Sequence, residues 1–177
     1  GFVLNCLFSI IIFSYFEERT QSLELLILIF TTVSIFLLAN FGLILPKIFL
    51  GDSGSTALGF LVSCLLVYYT LPDNRYFHPV LTLWCAPLPT FDFLTVFIKR
   101  AFMKINPFKP DRRHLHYLML SKKYSGNYVS FILVFTSFLL SFLGFFVYHI
   151  RASLHSFSFF VFIFFIYFLF SLYIGRK

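Results

Sequence analysis

The stretch from Lys99 to Lys123, KRAFMKINPFKPDRRHLHYLMLSKK, decides how the rest of the chain is read. It carries eight of the fourteen Lys and Arg residues, two of the five histidines (His114 and His116) and one acid, Asp111. The sequence on either side is almost wholly apolar. A long cationic loop between lipid-soluble runs is the pattern of a polytopic membrane protein with that loop on the cytoplasmic face, where Lys and Arg collect.

Working outward, the composition excludes an ordinary soluble domain. Of the 177 residues 59% are hydrophobic, 23% aromatic and only 12% charged, with a mean hydropathy of +0.89. Phe alone occurs 29 times, and in water such runs would form large exposed patches that drive aggregation. A net charge of +7 in so uncharged a chain speaks for membrane lipids and phosphate groups as partners, and no nucleic-acid motif accompanies it. Cys6, Cys64 and Cys85 sit inside apolar runs without a C-x-x-C pair, which speaks against a disulfide framework or a zinc cage.

The expected fold is all-α: a polytopic transmembrane helix bundle of about six spans, one of them broken by proline. The spans fall near residues 1–16, 23–45, 53–71, 78–98, 128–150 and 153–174, with the cytoplasmic loop at 99–127. The first is short of the ~20 residues a span needs. In the fourth, Pro87 and Pro89 each remove an amide donor, which breaks or kinks a helix. At membrane depth such a break borders protein or a cavity. With the long loop inside, eleven of the fourteen basic residues fall on the inner side and only Arg19, Arg75 and Arg151 opposite. Asp52, Asp92 and Asp111 then lie at or near the inner face, each beside a Gly or Pro break, and form a candidate site.

Each of these acids suits phosphate chemistry. Asp52, between Gly51 and Gly54, can cap a helix, or it can be the one carboxylate through which Mg²⁺, a hard cation, joins substrate phosphates. The surrounding GDSG also occurs around the nucleophile of trypsin-like proteases, but no His precedes Ser53. A phosphate loop would need a Lys that Gly54, Ser55, Thr56 does not supply. Asp92 is costly so close to hydrocarbon, and belongs to the polar shell of a site or to an ion pair with Lys or Arg. In the loop, Asn106 to Pro110 makes a stiff turn and Asp111 can cap a helix through Tyr117. Arg112 and Arg113 suit phosphate oxygens. His114 and His116, two apart, would point to different faces of that helix and not chelate one metal.

Three motifs in order, Lys47 to Ser55 (KIFLGDSGS), Pro89 to Asp92 (PTFD) and Asn106 to His116 (NPFKPDRRHLH), resemble the polyprenyl-phosphate N-acetylhexosamine-1-phosphate transferases. The resemblance implies a bacterial inner-membrane enzyme with a cytoplasmic active site, serving the first membrane step of a cell-surface polysaccharide such as O-antigen. It also implies transfer of a sugar 1-phosphate from a UDP-N-acetylhexosamine, most like UDP-N-acetylglucosamine, to undecaprenyl phosphate, with release of UMP. It implies that Asp52 holds Mg²⁺, with Mn²⁺ as the alternative, and that His114 and His116 are catalytic. Lys47, Arg112, Arg113, Asp92 and Asp111 are then candidates for binding substrate.

Two departures bear on these expectations. The family's His-x-His-His becomes His114-Leu115-His116-Tyr117 here, and a Tyr cannot carry charge at pH 7. The acidic pair of the family's earlier loops is absent, and the chain opens on Gly1 without Met or a basic leader. The expectation is a C-terminal half that is inactive without its missing N-terminal half. A noncatalytic remnant or membrane scaffold is the alternative, and a transporter the third reading, since broken helices and buried acids also mark ion pathways.

Overall fold

A computed structural model describes the chain except for residues 19–22, 43–47, 73–75, 105, 107–113, 122–123 and 176–177. The described residues form helices and turns, with no strand among them. The chain divides into two compact units, Gly1–Cys85 and Ala86–Lys177.

The first unit holds α1 (Phe2–Phe16), α2 (Leu23–Asn40), α3 (Gly51–Tyr68) and the short α4 (Val80–Cys85). Apolar on every side, α1 is the element against which α2, α3 and α4 pack. A helix without a polar face belongs inside. Its buried residues include Asn5 and Ser9, and the Ser9 hydroxyl donates to the Asn5 carbonyl at 2.9 Å. Aromatic rings close the end of this unit: Phe13 meets Phe77 edge-on at 5.9 Å, and Tyr69 lies 4.6 Å from Tyr76. The second helix stops at Asn40, short of the expected Leu45, because Gly42 takes a left-handed φ of 73° and its N–H turns back to the Ala39 carbonyl.

The second unit holds α5 (Pro87–Phe102), α6 (Leu115–Ser121) and α7 (Gly126–Gly175). The proline break lies where the residues place it. Ala86 leaves helical geometry (φ −139°, ψ 56°) and Pro87 opens α5 at its first turn, where a missing N–H costs nothing. Lys99 and Arg100 occupy the last turn, where cations favour the carbonyl end. Ser125 caps α7 through the Tyr128 N–H.

At Ala152 (φ 66°, ψ −179°) the backbone of α7 is not helical, so α7 consists of two helices on either side of that residue. The expected turn at Arg151 is one residue away. On the first arm the buried residues Val129, Leu133, Ser137, Ser141 and Phe145 recur every fourth position. On the second arm Ser156, Phe160, Tyr167 and Ser171 share one buried face. Small hydroxylated residues on such stripes allow close helix approach in lipid. The exposed surface presents Phe131, Phe142, Phe157 and Phe165.

Among the described residues three helices are long and apolar enough to cross a membrane: Leu23–Asn40, Gly51–Tyr68 and Gly126–Ile174, the last containing the break. The shorter α1, α4 and α5 leave the number of spans below the six expected by this criterion alone.

Candidate active site

The second helix turn of α5 carries Asp92, and three donors converge on its carboxylate. The Leu115 backbone N–H, at the start of α6, donates to Oδ1 at 2.9 Å. The Tyr167 hydroxyl, from the second arm of α7, donates to the same oxygen at 3.1 Å. His114 Nδ1 lies 2.9 Å from Oδ2. A carboxylate only accepts, so His114 carries its proton on Nδ1, and Nε2 is the nitrogen that Asp92 leaves for other partners.

The sequence suggests two ways to use Asp92, a polar shell or an ion pair with Lys or Arg; in the structure its carboxylate meets a histidine, an amide and a phenol. Asp92 thereby supplies from another helix the acceptor that the first amide of α6 lacks within its own. The pair is half-buried, the His114 and Asp92 side chains being 34% and 20% exposed. Water therefore reaches it but does not surround it.

His114 precedes the helical part of α6, and this alters the expected geometry of the two histidines. Instead of diverging, the His114 and His116 rings lie nearly parallel (16°) with centroids 5.9 Å apart. The Tyr117 ring also contacts His116, with centroids 4.1 Å apart. Burial lowers the proton affinity of His116 below the ordinary 6.5; the Asp92 charge works against that shift and His114 works with it.

Beside this cluster an apolar groove of about 600 Å³ runs between α5, α6 and both arms of α7. Leu88, Phe91, Met119, Leu133, Ile163 and Phe170 are among its walls. Leu115 and Tyr167, which also line it, are two of the residues that bond Asp92. The groove and the polar cluster thus share a wall. Phe91 stabilises that wall, with ring contacts to Phe160, Phe164 and Tyr167 at 4.7, 5.7 and 5.7 Å. Further along, Lys99 Nζ donates to the Ser171 hydroxyl at 2.9 Å and to its carbonyl at 3.1 Å.

In the first unit, Asp52 stands exposed in the first turn of α3. It is not the cap: Leu50 holds that position, without a side-chain bond. The Asp52 carbonyl accepts the Ser55 and Thr56 hydroxyls at 2.9 and 2.8 Å, which leaves its carboxylate clear of those bonds. Gly51 has a left-handed φ of 71°, a conformation that only glycine adopts at little cost. As a metal ligand, one exposed carboxylate fits a hard cation that completes its shell with phosphate and water. Of the remaining candidates, Lys47, Asp111, Arg112 and Arg113 lie outside the described residues.

Tyr167 is the member of this site that the sequence reading does not single out. Its signal is a hydroxyl seven residues after Phe160 and four before Ser171, on the buried stripe of a Phe-rich helix.

Comparison with known proteins finds similarity to transferases of the kind that the motifs resemble. The relatives are named undecaprenyl-phosphate alpha-N-acetylglucosaminyl 1-phosphate transferase. One from Yersinia pestis is 30% identical over 115 residues, 64% of this chain and 32% of its own length. One from Escherichia coli K12 is 31% identical over 98 residues, 55% and 27% of the two chains. One from Salmonella typhi is 34% identical over 88 residues, 50% and 24%. The chain is similar to part of these transferases. The matched segments thus span about a third or less of the length of the transferases. No family model matches the chain, and no solved structure does. Its apolar helices and its membrane-enzyme relatives together make it a membrane-embedded protein.

Proposed function

We propose that the chain forms part of an enzyme of the bacterial inner membrane. It transfers N-acetylglucosamine 1-phosphate from UDP-N-acetylglucosamine to undecaprenyl phosphate on the cytoplasmic face, as the first membrane step of a cell-surface polysaccharide. The relatives' name supplies the acceptor and the sugar. The observation that carries the reading is an imidazole fixed by Asp92 next to an apolar groove: a group for phosphate oxygens beside a surface for an isoprenoid chain.

In this reaction an oxygen of the lipid phosphate attacks the sugar-bearing phosphorus. The bond from that phosphorus to the bridging oxygen breaks, and UMP departs with the bridging oxygen. The acceptor is largely ionised at neutral pH, its second pKa being about 6, so little general-base help is needed. Catalysis is then mainly positioning and charge neutralisation. In its protonated form His114 donates Nε2–H to a phosphate oxygen while Asp92 holds Nδ1–H, and His116 lines the same cluster. Arg112, Arg113 and Lys47 have the charge to bind the donor's phosphates, and Asp111 can accept from its sugar hydroxyls. Asp52 would hold Mg²⁺, or Mn²⁺, which when bound neutralises charge on the diphosphate.

The match to each relative leaves most of that relative uncovered, so residues elsewhere in such a domain complete the site on this reading. The isolated 177-residue chain is accordingly expected to release no UMP. A chimera that places the remainder of the Yersinia pestis relative ahead of this chain is expected to form lipid-linked N-acetylglucosamine phosphate from UDP-N-acetylglucosamine. A folded, membrane-inserted chimera without turnover would sink the reading and favour a noncatalytic scaffold.

A further inference from the structure

We infer that Tyr167 is a positioning residue: its hydroxyl fixes the Asp92 carboxylate, and through it the His114 imidazole, in the one orientation that points Nε2 at a substrate phosphate. The inference rests on the transferase reading for the phosphate, but the positioning itself is a property of the chain. The three groups come from two helices and the residue that precedes a third, and none of them can set the arrangement alone. Asp92 has two rotatable bonds, and a carboxylate turning about the second would exchange the oxygen offered to His114. Tyr167 and the Leu115 amide both occupy Oδ1, which leaves Oδ2 to the imidazole. The Leu115 amide moves with His114, its neighbour in sequence, so it cannot hold the carboxylate independently of the imidazole. Tyr167 can, because it belongs to another helix.

The helix that carries Tyr167 is itself held in register. Phe160 and Phe164 grip Phe91 on one side of the hydroxyl, and Ser171 takes Lys99 on the other. The phenol is therefore a fixed point against which the carboxylate is aligned. A phenol keeps its proton at neutral pH, so toward a carboxylate it can only donate. The polarity of the chain of bonds follows: Tyr167 O–H to Asp92, and His114 Nδ1–H to Asp92. The neutral imidazole is thereby held in its Nδ1–H tautomer, with a lone pair at Nε2; when protonated, it presents Nε2–H.

The test reads the tautomer directly. The full chain, labelled with ¹⁵N-histidine and placed in phospholipid nanodiscs, is studied by NMR at alkaline pH, where imidazoles are neutral. His114 is assigned by its loss in His114→Gln. The wild type is expected to show a protonated Nδ1, and Tyr167→Phe to lower that population at least twofold. In an Asp92→Asn background, Tyr167→Phe should change nothing further. Phe keeps the ring against Phe91, and Tyr167→Leu removes ring and hydroxyl together as a packing control.

An unchanged tautomer in Tyr167→Phe overturns the inference, as does a change seen only in Tyr167→Leu. So does an equal effect of Tyr167→Phe with and without the Asp92 carboxylate. In the chimera, Tyr167→Phe is expected to lower kcat about tenfold with KM for the sugar nucleotide unchanged, the size of losing one hydrogen bond to a charged group. Unchanged kcat in an active chimera also overturns it. A wild-type chimera without turnover counts against the transferase reading, and the tautomer then decides the positioning on its own.

Discussion

Asp92 Oδ2 and His114 Nδ1 lie 2.9 Å apart, joining α5 to the residue that opens α6. Both belong to motifs that the sequence singles out, yet 22 residues separate them, and pairing across helices leaves no periodic mark in a sequence.

The first consequence concerns Asp92 as a structural anchor. Asp92→Ala removes the acceptor of the Leu115 N–H and of the Tyr167 hydroxyl at once. A polar group left without its partner costs about 1–3 kcal/mol when dry, and the partial exposure of this pair brings the sum for both to about 2 kcal/mol. Amide hydrogen exchange across Leu115–Ser121 should accelerate at least about tenfold, since 1.4 kcal/mol is a factor of ten. Asp92→Asn keeps an oxygen for these donors and should show a smaller change. Equal protection in wild type and Asp92→Ala would mean that α6 is held by other contacts.

A second prediction follows from His116. Burial holds its proton affinity below the ordinary 6.5, so the unfolded chain takes up that proton more readily than the folded one. The stability contributed by neutral His116 is therefore complete above pH 6.5 and is lost as pH falls through the lowered folded value. Exchange protection of α6 should fall as the pH is lowered from 7 to 5, and His116→Gln should flatten that fall. A profile unchanged by the substitution would assign the pH response to another group.

How much of this was legible in the sequence depends on the kind of signal. The break before α5 was, because Pro87 lacks an N–H and the chain must restart its helix there. The polar interruption of α7 was legible as Arg151, but its placement at Ala152 was not, since neither Gly nor Pro marks the spot. Asp92 stood out as an acid near hydrocarbon, whereas Tyr167 is one hydroxyl in the run SFFVFIFFIYFLFS. Aromatic residues there satisfy lipid and protein neighbours alike, so burial of one face cannot be read from composition. The expected helix start at Asp111 lies outside the described residues, and α6 is described from Leu115.

The third prediction concerns Ala152. Its φ of 66° with ψ of −179° is a region open essentially to glycine and costs about 1–3 kcal/mol for other residues. Ala152→Gly relieves that strain but loses about 0.4–1 kcal/mol through the freer unfolded chain. The net expectation is a gain of about 1 kcal/mol, read as a higher thermal midpoint of helical circular dichroism in detergent. Ala152→Val, branched at Cβ, should move the midpoint down.

Gly51 tests conformation separately from space. A Cβ added there meets nothing within 4 Å, so any loss in Gly51→Ala comes from the left-handed φ alone, about 1–2 kcal/mol. At Gly54 the φ is ordinary, but a Cβ would fall 2.8 Å from the Leu50 side chain, which must rotate away. Gly51→Ala should therefore lower chimera turnover by displacing the neighbouring Asp52, while hydrogen exchange in the rest of α3 stays as in wild type. Leu50→Ala should restore Gly54→Ala and leave Gly51→Ala unimproved.

Asp52 itself carries the last prediction, on metal dependence. Its carboxylate is exposed in the first turn of α3, where it suits a hard cation shared with a diphosphate. Asparagine has nearly the same shape and keeps a neutral oxygen, so Asp52→Asn removes charge with little change in packing. Chimera turnover should then fall by about two orders of magnitude or more, as when a group that stabilises transition-state charge is removed. The apparent Mg²⁺ requirement of any residual activity should rise. Chelation should abolish wild-type turnover, and Mg²⁺ or Mn²⁺ should restore it. If Asp52→Asn retained wild-type turnover with an unaltered Mg²⁺ titration, the carboxylate would be a surface charge at a helix start and the metal would be held by other residues.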